Sequence, residues 1–458
     1  MIDRALLARV AELASEHLEA LPQRHAGPIA GFDELRSTLG GQLAEDGVPA
    51  EQVVEELALG AARGLVASPG PRYFGFVTGG ALPAALAADW LASAWDQNGF
   101  SAVSSPAASV VEEVACGWLL DLLGLPAESG VGLTTGAQMA NVTGLAAARG
   151  SVLTRAGWDV EEQGLGGAPA IRVLAGEEAH VTVWRALRLL GFGRTSVEVV
   201  AADEQGRMRA DALADALAGG SGPAIVCAQA GNVNTGACDP LVEIVAAAHE
   251  QSAWVHVDGA FGLWAAASPA YAQLVAGASD ADSWATDAHK WLNVPYDCGV
   301  IAVRDRAAHA AAMGLTASYL VRDDASARSN SDWVPEASRR ARGFAVYAAL
   351  RSLGRSGAAA LVERCCELAR RLAGRVEAEG VEVLNDVVLN QALLRFGGDD
   401  ALTDQVVRRV QEDGTLWAGG TRWRGQAAMR VSVSSWSTTD ADIDLAAKAI
   451  LTAARRAR

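Results

Sequence analysis

DSWATDAHKWLNVPYDCGVIAVRD, residues 282–305, decides how the rest of the chain is read. It opens with a short β-rich run, Ser283–Thr286, and closes on another, Gly299–Val303. Between them Lys290 stands next to His289 and Trp291, beside what reads as core. Lysines ordinarily occupy solvated helix faces, and a buried ammonium is costly unless it is neutralised. Lys290 is therefore either a turn residue with its amine in water or an amine kept for chemistry.

Working outward, the middle of the chain alternates β-rich apolar runs with helical patterns. AIRVLAG (170–176), SVEVVAA (196–202), AIVCAQAG (224–231) and AWVHVDGA (253–260) read as strands. TVWRALRLLG, RADALADALAG and PLVEIVAAAHEQS between them have helical period. Such alternation predicts βαβ units on a largely parallel sheet, an α/β fold whose ligands bind outside the carboxyl ends of the strands. Residues 1–65 read as an N-terminal helical segment, 66–315 as the α/β domain and 316–458 as a smaller α+β domain. The last contains two long helices, from ASRRARG and from AALVERC, then strands at VLNQALLRF and AAMRVSVSSW and a closing helix.

Bulk properties exclude several classes. The net charge of −16, with no dense basic block, disfavours nucleic acid or an anionic membrane as partner. No run reaches the ~18 apolar residues of a spanning helix, and MIDRALLARVAELASEHLEAL lacks the apolar stretch of a secretory signal. Six cysteines without a CxxC pair or His/Cys metal spacing predict reduced thiols, a cytoplasmic location and no metal site.

Polar residues recur where strands end. Asp258 closes WVHV and is a cap or a buried functional anion; Gly259 and Ala260 leave room for something flat beside it. LTTGAQMANVTGLAAAR (133–149) passes through Thr135 and Gly136 into a helix. It is an ordinary Gly-containing helix start or a phosphate site built on free amides. His180 precedes a helix, as a cap or as a ring laid against an aromatic ligand. A lysine imine to an aldehyde cofactor, with a distant acid holding a protonated ring nitrogen, would account for Lys290 and Asp258 together.

The order TTGAQMAN, HVTVWRAL, HVDGAFG and DAHKW resembles the pyridoxal-phosphate-dependent group II amino-acid decarboxylases of fold type I. RYFGFVTGG (72–80), residues 104–124 and GNVNTGACDPL (231–241) are also similar to family segments. The resemblance implies pyridoxal 5'-phosphate as cofactor, joined to Lys290 as an imine. Asp258 would pair with the ring nitrogen, His180 would stack on the ring and Ala260 would pack under it. Thr135, Gly136, Ala137, Gln138 and His289 would hold the phosphate, and Asn232 or Asn234 would reach the phenolic oxygen. Phe76, Thr78 and Arg430 would line the substrate, with Asn98 and Phe100 serving the neighbouring subunit of a homodimer. The implied reaction is loss of carbon dioxide from an amino acid, to give an amine. The apolar candidates Phe76 and Phe100 lean toward an aromatic or aliphatic substrate. Lys290, Asp258 and His180 together argue against a scaffold that has lost its chemistry.

Two features depart from the family or fail to discriminate. Family decarboxylases often carry a loop tyrosine that returns a proton, whereas residues 318–340 hold only Tyr319, ahead of the expected loop tip. Either another acid does that work, or the chemistry turns to aldehyde synthesis or aldolase-type Cα–Cβ cleavage. Arg430 would grip a substrate carboxylate or pair with a nearby acid at the domain interface. Trp417 and Trp423 read as packing residues.

Overall fold

The computed structural model describes residues 3–315 and 329–457. Tyr319, with the rest of 316–328, lies outside the described residues. The chain forms two compact units, Met1–Thr78 with Leu368–Leu384 and Ala392–Arg458, and Gly79–Glu367 with Asn385–Gln391.

The larger unit is built on seven strands: β1 Gly130–Thr134, β2 Arg172–Gly176, β3 Val197–Val200, β4 Ala224–Gln229, β5 Trp254–Asp258, β6 Ser283–Asp287 and β7 Gly299–Val303. Their order is β1-β7-β6-β5-β4-β2-β3. The four expected strands pair in parallel, joined by the expected crossover helices. Strand β7 runs antiparallel to both neighbours, because the link from Ala288 to Cys298 carries no crossover helix and turns the chain straight back. Every residue of β1, β4, β5, β6 and β7 is buried. That explains their near-continuous apolar sequences, as in sheets covered on both faces. One cover is the helix Ala137–Arg155, which packs on β5, β6 and β7.

The smaller unit has helices Arg4–Ala20, Phe32–Leu39 and Ala50–Ala61. It also holds strands of a sheet ordered β10-β11-β9-β8, from β8 Glu382–Val383, β9 Gln391–Arg395, β10 Gly419–Trp423 and β11 Gln426–Ser432. The two long helices appear as one run, Gly343–Glu377, broken at Gly354, where φ is 60° and only glycine sits comfortably. The first starts at Gly343, later than its sequence predicts. Arg339 and Arg342 are buried on Glu112 at 2.8 Å and Asp297 at 3.0 Å, and those pairings hold 337–342 out of helical geometry.

Candidate active site

Strands β4, β5 and β6 end on Gln229, Asp258 and Asp287, three polar residues at the carboxyl edge of the sheet. Lys290 follows β6 after a short turn, and its Nζ lies 3.0 Å from Asp287 Oδ2. Its side chain is 19% exposed and that of Asp287 only 4%, so the amine is held on a buried carboxylate yet keeps an opening. Lys290 and Lys448 are the only lysines among the 38 basic residues of the full sequence. A chain that otherwise uses arginine has kept here the one cation able to become a neutral nucleophile.

The site is one connected network. Asp287 N–H donates to Ala260 O at 2.9 Å, and Ala260 N–H donates to Asp258 Oδ1 at 3.2 Å. Asp258 Oδ2 accepts from Asn141 Nδ2 at 3.2 Å and from Thr182 Oγ1 at 3.5 Å. Thr182 Oγ1 is 2.7 Å from His180 Nδ1, and His180 N–H donates to Gln229 Oε1 at 3.2 Å. His180, which also caps the helix Val181–Leu189, Asp258, Ala260 and Lys290 are thereby joined.

The loop after β1 completes it. Gly136 has φ 155°, and a Cβ there would lie 3.3 Å from His289 Cε1 and 3.5 Å from Asp287 Oδ1. Ala137 N–H, at the start of its helix, donates to Asp287 Oδ1 at 2.6 Å. Gln138 Nε2 donates to Thr182 O at 3.1 Å, tying the loop to His180. His289 Nδ1 accepts Cys298 N–H at 3.0 Å, so its proton resides on Nε2, which points to Asp287 Oδ1 at 3.4 Å. Burial holds the His289 ring below the usual histidine range. Two further glycines shape the cradle: a Cβ on Gly79 would collide with the Lys290 carbonyl, and one on Gly299 with the Gly136 backbone.

These features fit a phosphorylated pyridine aldehyde. There is a partly open amine, a helix start with a glycine beside it for an anion, and a buried carboxylate on the neighbouring strand.

Other expected residues fall elsewhere. Asn232 is buried, its Oδ1 accepting Asn234 N–H at 2.8 Å and Thr235 N–H at 3.2 Å, while its Nδ2 donates to Glu178 O at 3.3 Å. It thus holds its own turn, and Asn234 is a backbone donor in that turn. Asn98 Oδ1 accepts Arg339 N–H at 3.1 Å and Phe100 O accepts Ser331 N–H at 3.1 Å. That segment is bonded to residues 330–340, not to the Lys290 network. Phe76, Thr78 and Arg430 belong to the smaller unit. There Phe76 stacks on Trp417 at 5.2 Å, and Trp417 stacks in turn on Tyr73 at 5.0 Å. Thr78 is buried, and Arg430, on β11 opposite Gly419, has its pKa lowered by burial. Trp423 is buried against Leu393 and Ala428.

Sequence reading missed Asp287, Asn141, Thr182, His256 and Ser283. Asp287 and Thr182 had a signal, since each is a polar residue within three positions of a named one. Asn141 and His256 also lie within three positions of Gln138 and Asp258, but the contact between them is made only by the fold.

Comparison with known proteins bears on the family and the fold. Residues 33–393 match the family model described as the pyridoxal-dependent decarboxylase conserved domain. The chain is 32% identical over 366 residues to the L-2,4-diaminobutyrate decarboxylase of Rhizobium meliloti (strain 1021), covering 78% of this chain and 69% of that one. It is 28% identical over 452 residues to the aromatic-L-amino-acid decarboxylase of Sus scrofa, covering 94% and 92%. The fold superposes on that of Oryza sativa TDC, solved with PLP and tryptamine, with TM-score 0.91 at 23% identity over 99% and 97% of the two chains. This chain belongs to the pyridoxal-dependent decarboxylase family, with pyridoxal phosphate as its cofactor.

Proposed function

We propose that this protein removes the α-carboxylate of an L-amino acid with an aromatic or aliphatic side chain, and that Lys290 carries the cofactor. The observation that supports this most directly is the hydrogen-bonded path from Lys290 through Asp287 and Ala260 to Asp258. Bound there, pyridoxal phosphate supplies an electron sink for the bond broken at Cα. The protein's part is to hold and orient. Thr135, Gly136, Ala137, Gln138 and His289 hold the phosphate at the helix start. Asp258 would accept a hydrogen bond from the ring nitrogen and keep it protonated, and His180 and Ala260 would pack against the ring. Asn232 or Asn234 would reach its phenolic oxygen. Asp287 keeps the Lys290 amine in place, and Lys290 Nζ would move a proton at Cα. Phe76 and Thr78 line the substrate side chain and Arg430 receives its carboxylate. By fixing the substrate's carboxylate and side chain, these residues would set which bond at Cα breaks.

The preference for an apolar side chain rests on the Phe76–Trp417 stack, in which Phe76 is 64% exposed. The alignment with the aromatic-L-amino-acid decarboxylase over 94% of the chain supports it. The working form is a homodimer in which Asn98 and Phe100 serve the neighbouring subunit's site. A cytoplasmic location accords with six buried cysteines, none of them in a disulfide; no described helix is long and apolar enough to cross a membrane.

The test is mass spectrometry of the products from cofactor-loaded protein given L-amino acids and, separately, β-hydroxy amino acids. An amine with carbon dioxide is expected, fastest from aromatic or aliphatic substrates. Glycine with an aldehyde, or an aldehyde with ammonia and peroxide, would overturn the reaction proposed. A faster reaction with acidic or basic substrates would overturn the preference alone.

A further inference from the structure

Behind Asp258 runs a second row of polar groups, all buried. Trp254 Nε1–H donates to Ser283 Oγ at 2.9 Å, and Ser283 Oγ lies 2.8 Å from His256 Nδ1. His256 Nε2 lies 2.9 Å from Asn141 Oδ1, and Asn141 Nδ2 donates to Asp258 Oδ2 at 3.2 Å. Trp254, His256 and Asp258 alternate along β5 and so share one face, with Ser283 opposite His256 on β6. Asn141 reaches that face from the helix Ala137–Arg155. The helix lies close because Gly144 has no side chain: a Cβ there would sit 2.7 Å from His256 Cε1.

The direction of every proton in this row can be assigned. An indole N–H only donates, so Ser283 Oγ accepts from Trp254, and its own hydrogen is free for His256 Nδ1. His256 Nδ1 then accepts, and its proton resides on Nε2, facing Asn141 Oδ1. The Asn141 amide is therefore turned with Nδ2 toward Asp258. The opposite histidine tautomer fails twice. It would point the buried serine hydroxyl away from the row, and it would turn Asn141 so that its carbonyl met the Asp258 carboxylate. Burial also keeps the ring neutral, its pKa pushed down to about 3.

We infer that Asn141 and His256 are positioning residues for Asp258, forming with Ser283 and Trp254 a one-way donor chain that presents N–H, never a lone pair, to Oδ2. The chain clamps the carboxylate about Oδ2 while Ala260 N–H clamps Oδ1. The lone pairs left over are thereby aimed in a fixed direction. This rests on the proposed role of Asp258 as partner of the ring nitrogen. Loss of a link loosens the carboxylate and changes how the ring nitrogen shares its proton.

The experiment compares Asn141→Ala, His256→Phe, Ser283→Ala and Asp258→Ala as cofactor-loaded protein. The readouts are the pH titration of the bound cofactor's visible absorbance, kcat and KM. Supporting partners of this kind are worth about 10- to 100-fold. Asn141→Ala is expected to lower kcat by about 10-fold or more with little change in KM, and to displace the absorbance titration. His256→Phe should do less and Ser283→Ala least, since each lies a link further out. The Asn141→Ala/His256→Phe double variant should be no worse than Asn141→Ala alone, because the pair acts through one bond. Should Asp258→Ala abolish the titration while the Asn141 and His256 variants fold with an unmoved titration and kcat, the chain is packing and the inference fails. An Asp258→Ala protein with wild-type absorbance and activity would instead remove the role given to Asp258. Additive losses ranked by volume removed would also overturn the chain.

Discussion

Arg339 and Lys290 each meet a buried carboxylate in the larger unit, Glu112 at 2.8 Å and Asp287 at 3.0 Å. The Arg339 pair is sealed, with side chains 0% and 1% exposed. Its guanidinium also donates to Leu133 O at 2.7 Å and to Gly99 O at 3.3 Å, spreading one fork over three segments. Lys290 keeps an opening and is a single point charge on a flexible stem. A group that never loses its charge and bonds in a plane suits a permanent join; an amine that can shed its proton and form a covalent bond suits a reagent. Ion-pair distance alone does not separate the two. Burial and the number of committed donors do.

The strongest way to break the comparison is Lys290→Arg, which keeps a cation for Asp287 and removes the nucleophile. Activity should fall at least about 10³-fold, and borohydride should leave no cofactor attached on mass spectrometry. The melting temperature should stay within about 2 °C. Cofactor still fixed to the chain would move the reactive amine to Lys448. Arg339→Ala is the complementary variant. It strands the Glu112 carboxylate in the interior, and urea unfolding should show a loss of about 3–5 kcal/mol, as when one partner of a buried pair is removed. A loss below about 1 kcal/mol would place the pair with exposed ones, and the sealed join would be refuted.

The smallest effect uses a buried group that stays neutral. Folded His256 takes a proton only near pH 3, whereas the unfolded side chain takes one near 6.5. Between those values the unfolded chain binds more protons, so this contribution to stability is complete above pH 6.5 and declines as the pH falls. At pH 5 the loss is about 2 kcal/mol, at roughly 1.4 per pH unit. The unfolding free energies of wild type and His256→Phe at pH 7 and pH 5 check it: the variant should show a shallower decline. Equal declines would mean that His256 is accessible to solvent acid.

Much of the site was legible locally. Asp258 ends an apolar run, and Gly136, Lys290 and His180 each follow a strand within four residues, where a parallel sheet presents its ligand edge. A strand end is a property of neighbouring residues, so one sequence suffices to find it. His256 escaped notice because β5 is covered on both faces: WVHVD has no alternation to distinguish a histidine facing a helix from one facing solvent. The Arg-rich run 337–342 was read as helix because its spacing permits one, and the carboxylates that hold Arg339 and Arg342, Glu112 and Asp297, are distant in sequence.

By itself, the sequence determined the α/β class, the strand ends carrying the polar groups and the one lysine suited to chemistry. All of these follow from local periodicity and from which side chains tolerate burial. Only the tertiary structure decided that β7 turns back against β6, that Asp287 holds both Lys290 and the loop at Ala137, and that Asn141 meets Asp258. Those are pairings between residues far apart in the chain, and a hydrogen bond is set by distance and direction in space, which local pattern does not encode.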